Sequence, residues 1–560
     1  MTLKAAFYAV FFFMIRAAKT SQVPYRPMPA IHFTPPCYYR AGGWHDIAGA
    51  ILHPETNIWH VFVGPTWQHI QTSNLVDWTV RGVVKGMGGS GTVMYDHRRN
   101  ITVAVTGTVN AFTSDSPDLT NFLPNGSIFK TVDPLDPKIG CWDPVMWFDE
   151  RDERYYAMGA CGHNNRGHGG MTGTGGYGLQ QYFASRDWVN GWEKLPLPFL
   201  EQRKEIVPHV GSWNRTHEFV TPDFFPLGPE SWVFLTTTYG GLMQTGLNAT
   251  TADGHREYDY SNYLVGPRPA PGAAFVPDAS KSGPFDWSPF QPAADPRGSG
   301  QLVFAASKGM EQFGCCPKTA GHHKRRVLFG WINNGWDQGP GEPDRTPQTY
   351  SNNTLSLPRD LSVGPTGQLR QRFVPELAML RQNHTRVGKR QLKAGGVAKA
   401  EFVQGGSGLQ LEIRATFSRD PAAKFGPGTF GLLVLADASL EEYTAISFDP
   451  MRSHFLLDRS HSGLAEDEDV RGGPWPAPAS ESVTVHIYVD RVVVECIANA
   501  SSWIDKKHGQ ASEDGTTAIA AWVAPTSPNS SHVAFFSEVE GVTLESLDIW
   551  QLASPKHDQG

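Results

Sequence analysis

Short apolar runs broken by turn-forming residues set the rhythm of this chain. Trp59–Val63, Thr102–Gly107, Tyr155–Met158, Trp232–Thr237, Leu302–Ala306 and Val327–Trp331 are strand-length blocks rich in β-branched and aromatic residues. Gly, Pro, Asn and Asp cluster between them, as they do between short strands of sandwiches, barrels and propellers. The pattern holds over residues 28–365 without a strict internal repeat, so it predicts an all-β domain but not its blade number. Residues 366–391 read as a linker, with one or two helical turns in the amphipathic stretch Gln368–Arg381. Over residues 392–553 the pattern becomes alternation. Leu409–Ala415, Val483–Val489, Arg491–Ile497 and Ser546–Leu552 place apolar side chains at every second position, which predicts half-buried strands of a separate β-sandwich.

Composition agrees with this division. With 560 residues, 58 Gly, 42 Pro, 17 Trp and only 18% charged residues, the chain has material for two loop-rich cores. A net charge of −7 gives no basic footprint for nucleic acid. Lys324-Arg325-Arg326 reads as charge guarding the apolar strand that follows it.

The first twenty residues have the layout of a secretory signal: Lys4, then the apolar stretch Ala5–Ile15, ended by Arg16 and Lys19. The stretch is too short to span a bilayer, and no membrane insertion is expected elsewhere. Eight Asn-x-Ser/Thr sequons, at Asn100, Asn125, Asn214, Asn248, Asn352, Asn383, Asn499 and Asn529, point to the same secreted or vacuolar address. The six cysteines form neither a dense disulfide framework nor a zinc pattern, and a bridge between Cys141 and Cys161 is left open.

Candidate chemistry lies in three acids far apart in sequence, which only a tertiary fold can unite. Asp46 sits in Trp44-His45-Asp46-Ile47-Ala48-Gly49, Asp143 in Cys141-Trp142-Asp143-Pro144, and Glu218 in His217-Glu218-Phe219-Val220-Thr221-Pro222-Asp223. Paired carboxylates are what cleavage of a sugar acetal requires. The Gly-rich stretch Gly159–Gly178 lacks the Gly-Lys-Ser/Thr of a phosphate loop. Its His163 and His168 read as members of a loop near the site rim rather than as metal ligands.

These strings resemble those of glycoside hydrolase family 32, the invertases, fructan hydrolases and fructosyltransferases. The landmarks occur in the family's order: His32-Phe33-Thr34-Pro35, Trp44–Gly49, Trp67-Gln68-His69, Thr72–Trp78, Gly89-Ser90-Gly91-Thr92, Asp143-Pro144 and Pro222–Leu227. They continue with Arg326–Asn333, Ser356–Ser362, the Val489–Glu495 block with Asn499, and Leu547–Trp550. The resemblance implies a five-bladed β-propeller followed by a β-sandwich, with a retaining mechanism on β-fructofuranosides and neither metal nor cofactor. It implies Asp46 as nucleophile, Asp143 as the group that holds sugar hydroxyls and stabilises the transition state, and Glu218 as acid/base. Trp44, His45, Trp67 and Trp142 are the expected sugar contacts.

The chain departs from the family strings at four places. His45 replaces an Asn, Ile47-Ala48 a Pro-Asn, and Trp142 an Arg. Aligned on Pro222-Asp223, Val220 stands where the family has its acid, and Glu218 lies two residues earlier. A two-residue step along a strand keeps the same face, and a bulge is the other way to restore the position. Three functions follow as expectations: hydrolysis of sucrose or fructans, fructosyl transfer on the same fold, and sugar binding without turnover.

Overall fold

In a computed structural model, the chain is described from residue 28 to 558. Residues 35–44, 65, 108–109, 128–138, 164–178, 202–217, 229, 242–257, 285–317, 323–324, 334–352, 365–366, 421, 424–425, 452–453, 464–469, 475–481, 501–515 and 524 fall outside that description. The signal-like segment, Trp44, His168 and the block Leu302–Ala306 therefore lie outside the described residues.

Five antiparallel sheets follow one another along the first two-thirds of the chain. Each begins with its inner strand: His45–Leu52, Gly91–Asp96, Ile139–Asp149, Glu218–Pro226 and Lys318–His322. Each inner strand packs against the next, and the fifth packs against the first, so the five close into a ring. This is a five-bladed β-propeller. Apolar clusters fill the gaps between blades: Ala48, Phe62, Trp67, Val93 and Ala104 between blades 1 and 2, and Val105, Met146, Tyr155 and Ala157 between blades 2 and 3. Burying aromatic and aliphatic side chains there stabilises each wedge by roughly 1.5–3 kcal/mol per large side chain.

Blades 2 and 3 share a device that links sequence to packing. Asp96 ends the inner strand of blade 2 and accepts the Arg98 backbone N–H at 3.0 Å. Asp149 ends that of blade 3 and accepts the Arg151 N–H at the same distance. Asp96 also reaches into the next blade, accepting the Tyr155 hydroxyl at 2.8 Å and the Trp188 indole N–H at 3.0 Å.

The connector is shorter than the expected 366–391. Leu369–Phe373 is the outer strand of blade 5, paired with Arg359–Val363, and Arg381–Val387 already pairs with Val542–Leu552 in the sandwich. Only the 3-10 turn Pro375–Leu380 lies between them. Within Leu369–Phe373 only Arg372 is exposed, Arg370 and Gln371 being buried with Leu369 and Phe373, so a stretch that reads as amphipathic helix is a largely buried strand. The sandwich has two packed sheets. One is built on Val542–Leu552, Gln410–Arg419, Val483–Asp490 and Val493–Ala500, the other on Phe430–Ala436, Thr444–Asp449 and His532–Ser537. Their inner faces form one apolar core. Past it, His557–Asp558 returns to add a parallel strand to blade 1 beside Trp78–Val83. Among the described residues no helix is long and apolar enough to cross a membrane.

The two domains are joined by a buried polar cluster built from the family-like strings. The backbone N–H groups of Ala30, Ile31 and His32 donate to the Asp490 carboxylate, each at 2.8 Å. The His32 ring lies between two acids, Nδ1 2.8 Å from Asp490 and Nε2 2.9 Å from Glu495. Glu495 in turn accepts the Leu357 N–H at 2.7 Å and the Arg359 guanidinium at 2.5 Å. Burial disfavours the imidazolium, but hydrogen bonds and attraction from Asp490 and Glu495 outweigh it and push the His32 pKa up to about 9. Burial likewise opposes the Glu495 charge, yet Arg359 and His32 hold its pKa below the usual carboxylate value. Paired, hydrogen-bonded charges are the form in which burial of charge is tolerated.

Candidate active site

The three acids fall on the inner strands of blades 1, 3 and 4, and so on one ring. For Asp46, Glu218, His45 and Trp142 the backbone placement is described, while their side chains lie outside the described residues. Asp143 is described in full and is half-buried.

Two of these strands are irregular at their acid, and the third just beyond it. In blade 1 the pairing with Trp59–Gly64 slips on both sides of Ile47, between His45 and Gly49. In blade 3 the ladder pairs Trp142 with Ala160 and Val145 with Met158, so Asp143 and Pro144 together oppose Gly159. In blade 4 it pairs Val220 with Thr237 and Asp223 with Leu235, so Thr221 and Pro222 together oppose Thr236. Asp143 has φ 49° and Thr221 φ 46°, a left-handed conformation uncommon for such residues and disfavoured before proline. Bulges of this kind re-aim a side chain beside active sites, and strain of roughly 1–3 kcal/mol per residue is found at such places.

The blade 4 bulge bears on the displaced acid. It follows Val220, and the pairing from Val220 back to Glu218, opposite Tyr239, is regular.

Neighbouring blades hold these bulges. Gly107, in blade 2, leaves room where a Cβ would stand 2.8 Å from the Ser90 carbonyl and 3.2 Å from Asp143 Oδ1. Blade 5 grips blade 4. The buried Lys318 donates its ammonium to the Pro222 carbonyl at 2.6 Å, and Thr319 donates both N–H and hydroxyl to Asp223 at 2.8 and 2.6 Å. Neither Gly107 nor Lys318 carries a readable sequence signal, since a glycine or lysine in a turn-rich stretch reads as surface. Trp67 differs from expectation. It is fully buried between Phe62 and Gly91 with its indole N–H donated to the Gly89 carbonyl at 2.6 Å. It offers no open face to a sugar and supports the blade 2 turn from below.

Residues 376–551 match the family described as "Glycosyl hydrolases family 32 C terminal". That match lies within the sandwich and the 3-10 turn before it, so the C-terminal domain is similar to the family 32 C-terminal domain. About two-thirds of the chain is similar to known β-fructofuranosidases. It is 27% identical over 392 residues to "Acid beta-fructofuranosidase 2, vacuolar" from a Rosa hybrid cultivar, covering 62% of this chain and 52% of that protein. It is 25% identical over 422 residues to "Beta-fructofuranosidase, insoluble isoenzyme 1" from Daucus carota, covering 68% and 62%. The match thus spans about half to three-fifths of those relatives' lengths.

By fold, the chain resembles fructan 1-exohydrolase IIa from Cichorium intybus, with TM-score 0.65, 16% identity, and coverage of 96% and 99%. It also resembles Aspergillus kawachii β-fructofuranosidase, with TM-score 0.68, 16% identity, and coverage of 94% of each chain. These family 32 neighbours share the propeller and the sandwich in this order.

Proposed function

We propose that this family 32 relative is an exported β-fructofuranosidase that cleaves sucrose or fructans by retaining double displacement. One observation carries the reading: the strands bearing Asp46, Asp143 and Glu218 are inner strands of one closed ring, each irregular near its acid or just beyond it. The relatives' names support the substrate class.

In this mechanism Asp46 attacks the anomeric carbon while Glu218 gives its proton to the departing oxygen. A water, deprotonated by Glu218, then releases fructose from the ester. Asp143 holds ring hydroxyls and offsets positive charge developing in the transition state. Lys318 and Gly107 act by fixing the two proline bulges.

A second reading has its own observation. Val220 occupies the family's acid position in a regular ladder, which favours a sugar-binding propeller without turnover if Glu218 does not reach the leaving group. Incubation with sucrose separates the readings. Glucose and fructose in equal amounts mean hydrolysis, excess glucose means transfer to sugar, and binding without release supports the second reading.

A further inference from the structure

Cys141 and Cys161 are directly opposed on the two inner strands of blade 3. In the register of that hairpin Cys161 is the partner of Cys141, between the pairs Ala160–Trp142 and Gly162–Gly140. Opposed residues of an antiparallel pair share a face of the sheet, with Cα atoms about 4.5–5.5 Å apart. A disulfide needs Cα atoms about 4.4–6.8 Å apart, so backbone movement is not required.

The surroundings give such a bond something to do. Immediately past the Ala160–Trp142 pair the ladder breaks at Asp143-Pro144, and Pro144 has no N–H to restore it. On the other side the Gly162–Gly140 pair brings no side chains to hold the strands together. The cysteines thus sit between a bulge and a pair without side chains, next to the half-buried Asp143. The sequons indicate an oxidising compartment, where opposed thiols become oxidised. Cys496 is no competitor, being buried in the sandwich core with its thiol against the Ile519 carbonyl.

We propose that Cys141 and Cys161 form a disulfide that pins the blade 3 hairpin beside the Asp143 bulge. The step is thiol–disulfide exchange. The two thiols lose two protons and two electrons as their S–S bond forms, and a small-molecule or protein disulfide is reduced to two thiols.

The test is peptide mapping of the full chain secreted from a eukaryotic host, with free thiols blocked by iodoacetamide before any reduction. The expected result is one linked peptide joining Cys141 to Cys161, with neither residue alkylated until a reductant is added. Alkylation of both without reduction overturns the proposal, and so does a link from either residue to Cys37, Cys315 or Cys316. The Cys141→Ser/Cys161→Ser double variant tests the pinning. Amide exchange at Asp143 and Val145 should quicken about tenfold or more, while the Asp96–Arg98 turn of blade 2 is unchanged. Equal exchange in both proteins overturns that part. Neither readout depends on turnover, so the proposed activity can fail independently.

Discussion

Asp143 and Thr221 hold the same place in neighbouring blades. Each is the left-handed residue of a bulge, at φ 49° and 46°, and each is followed by proline on an inner strand. Superposing the bulges sets Val220 beside Trp142 and leaves Glu218 two residues further from the bulge. If Glu218 is the acid, Glu218→Gln will slow sucrose cleavage about 100-fold or more, within the range of general acid catalysis. A fructosyl donor whose leaving group needs no proton will suffer less in its first step. Equal loss on both donors, measured as kcat/KM, would move the role away from Glu218.

The contact between blades 2 and 3 yields a second expectation. Gly107→Ala adds a methyl 2.8 Å from the Ser90 carbonyl and 3.2 Å from Asp143 Oδ1, so one of them must move. A displacement of about 1 Å at a reacting centre lowers rates by about 100-fold, and a shift of a few tenths should cost less. The variant should unfold at a lower temperature because backbone at Ser90 must shift, and its kcat/KM on sucrose should fall by about tenfold. Unchanged kinetics would show that Asp143 does not depend on this gap.

The domain joint gives a pH dependence whose sign is fixed. His32 has its folded pKa raised to about 9, so its stabilisation is fully present below its unfolded value, near pH 6.5. It is lost as pH rises from there through about 9. The facing groups are Asp490 and Glu495, with Arg359 against Glu495 and the His557 ring packed edge-on to Phe33. Thermal unfolding should fall between about pH 6.5 and 9 in the wild type. His32→Gln should be less stable at pH 6 and flatter across that window; an equal slope in both proteins would contradict the assignment.

Breaking the same cluster from the other side should be severe. Arg359→Met leaves the Glu495 carboxylate buried without its arginine partner. Removing one partner of a buried ion pair costs about 3–5 kcal/mol. Chemical denaturation should register that loss, whereas Arg386→Met, at an exposed pair with Asp548, should change stability by less than about 1 kcal/mol.

The strand rhythm and the domain order were legible in the sequence because short apolar blocks between turns mark the propeller strands and alternation marks several sandwich strands. Leu411, Ile413 and Ala415 are buried as their alternation requires, and Trp59–Gly64 is a strand as its composition requires. Blade number was not legible, because blades 2 and 3 share little more than the aspartate turns at Asp96 and Asp149. Leu369–Phe373 read as linker because a five-residue strand followed by a 3-10 turn mimics an amphipathic helix. His32, Leu357, Arg359, Asp490 and Glu495, from strings that carried much of the resemblance, lie at the domain joint rather than at the candidate site. They support fold more than chemistry. The two proline bulges and the grip of Lys318 on Pro222 join residues far apart in sequence, so no local pattern reveals them.

The central claim is that acids on the inner ring cleave a fructoside. Its most direct measurement is release of glucose and fructose from sucrose by the wild type and by Asp46→Asn, with thermal unfolding recorded for both. The account predicts equal release of the two sugars by the wild type, and a loss of several orders of magnitude in the variant at nearly unchanged stability. Sucrose bound but uncleaved by the wild type, or cleaved as fast by Asp46→Asn, would contradict it.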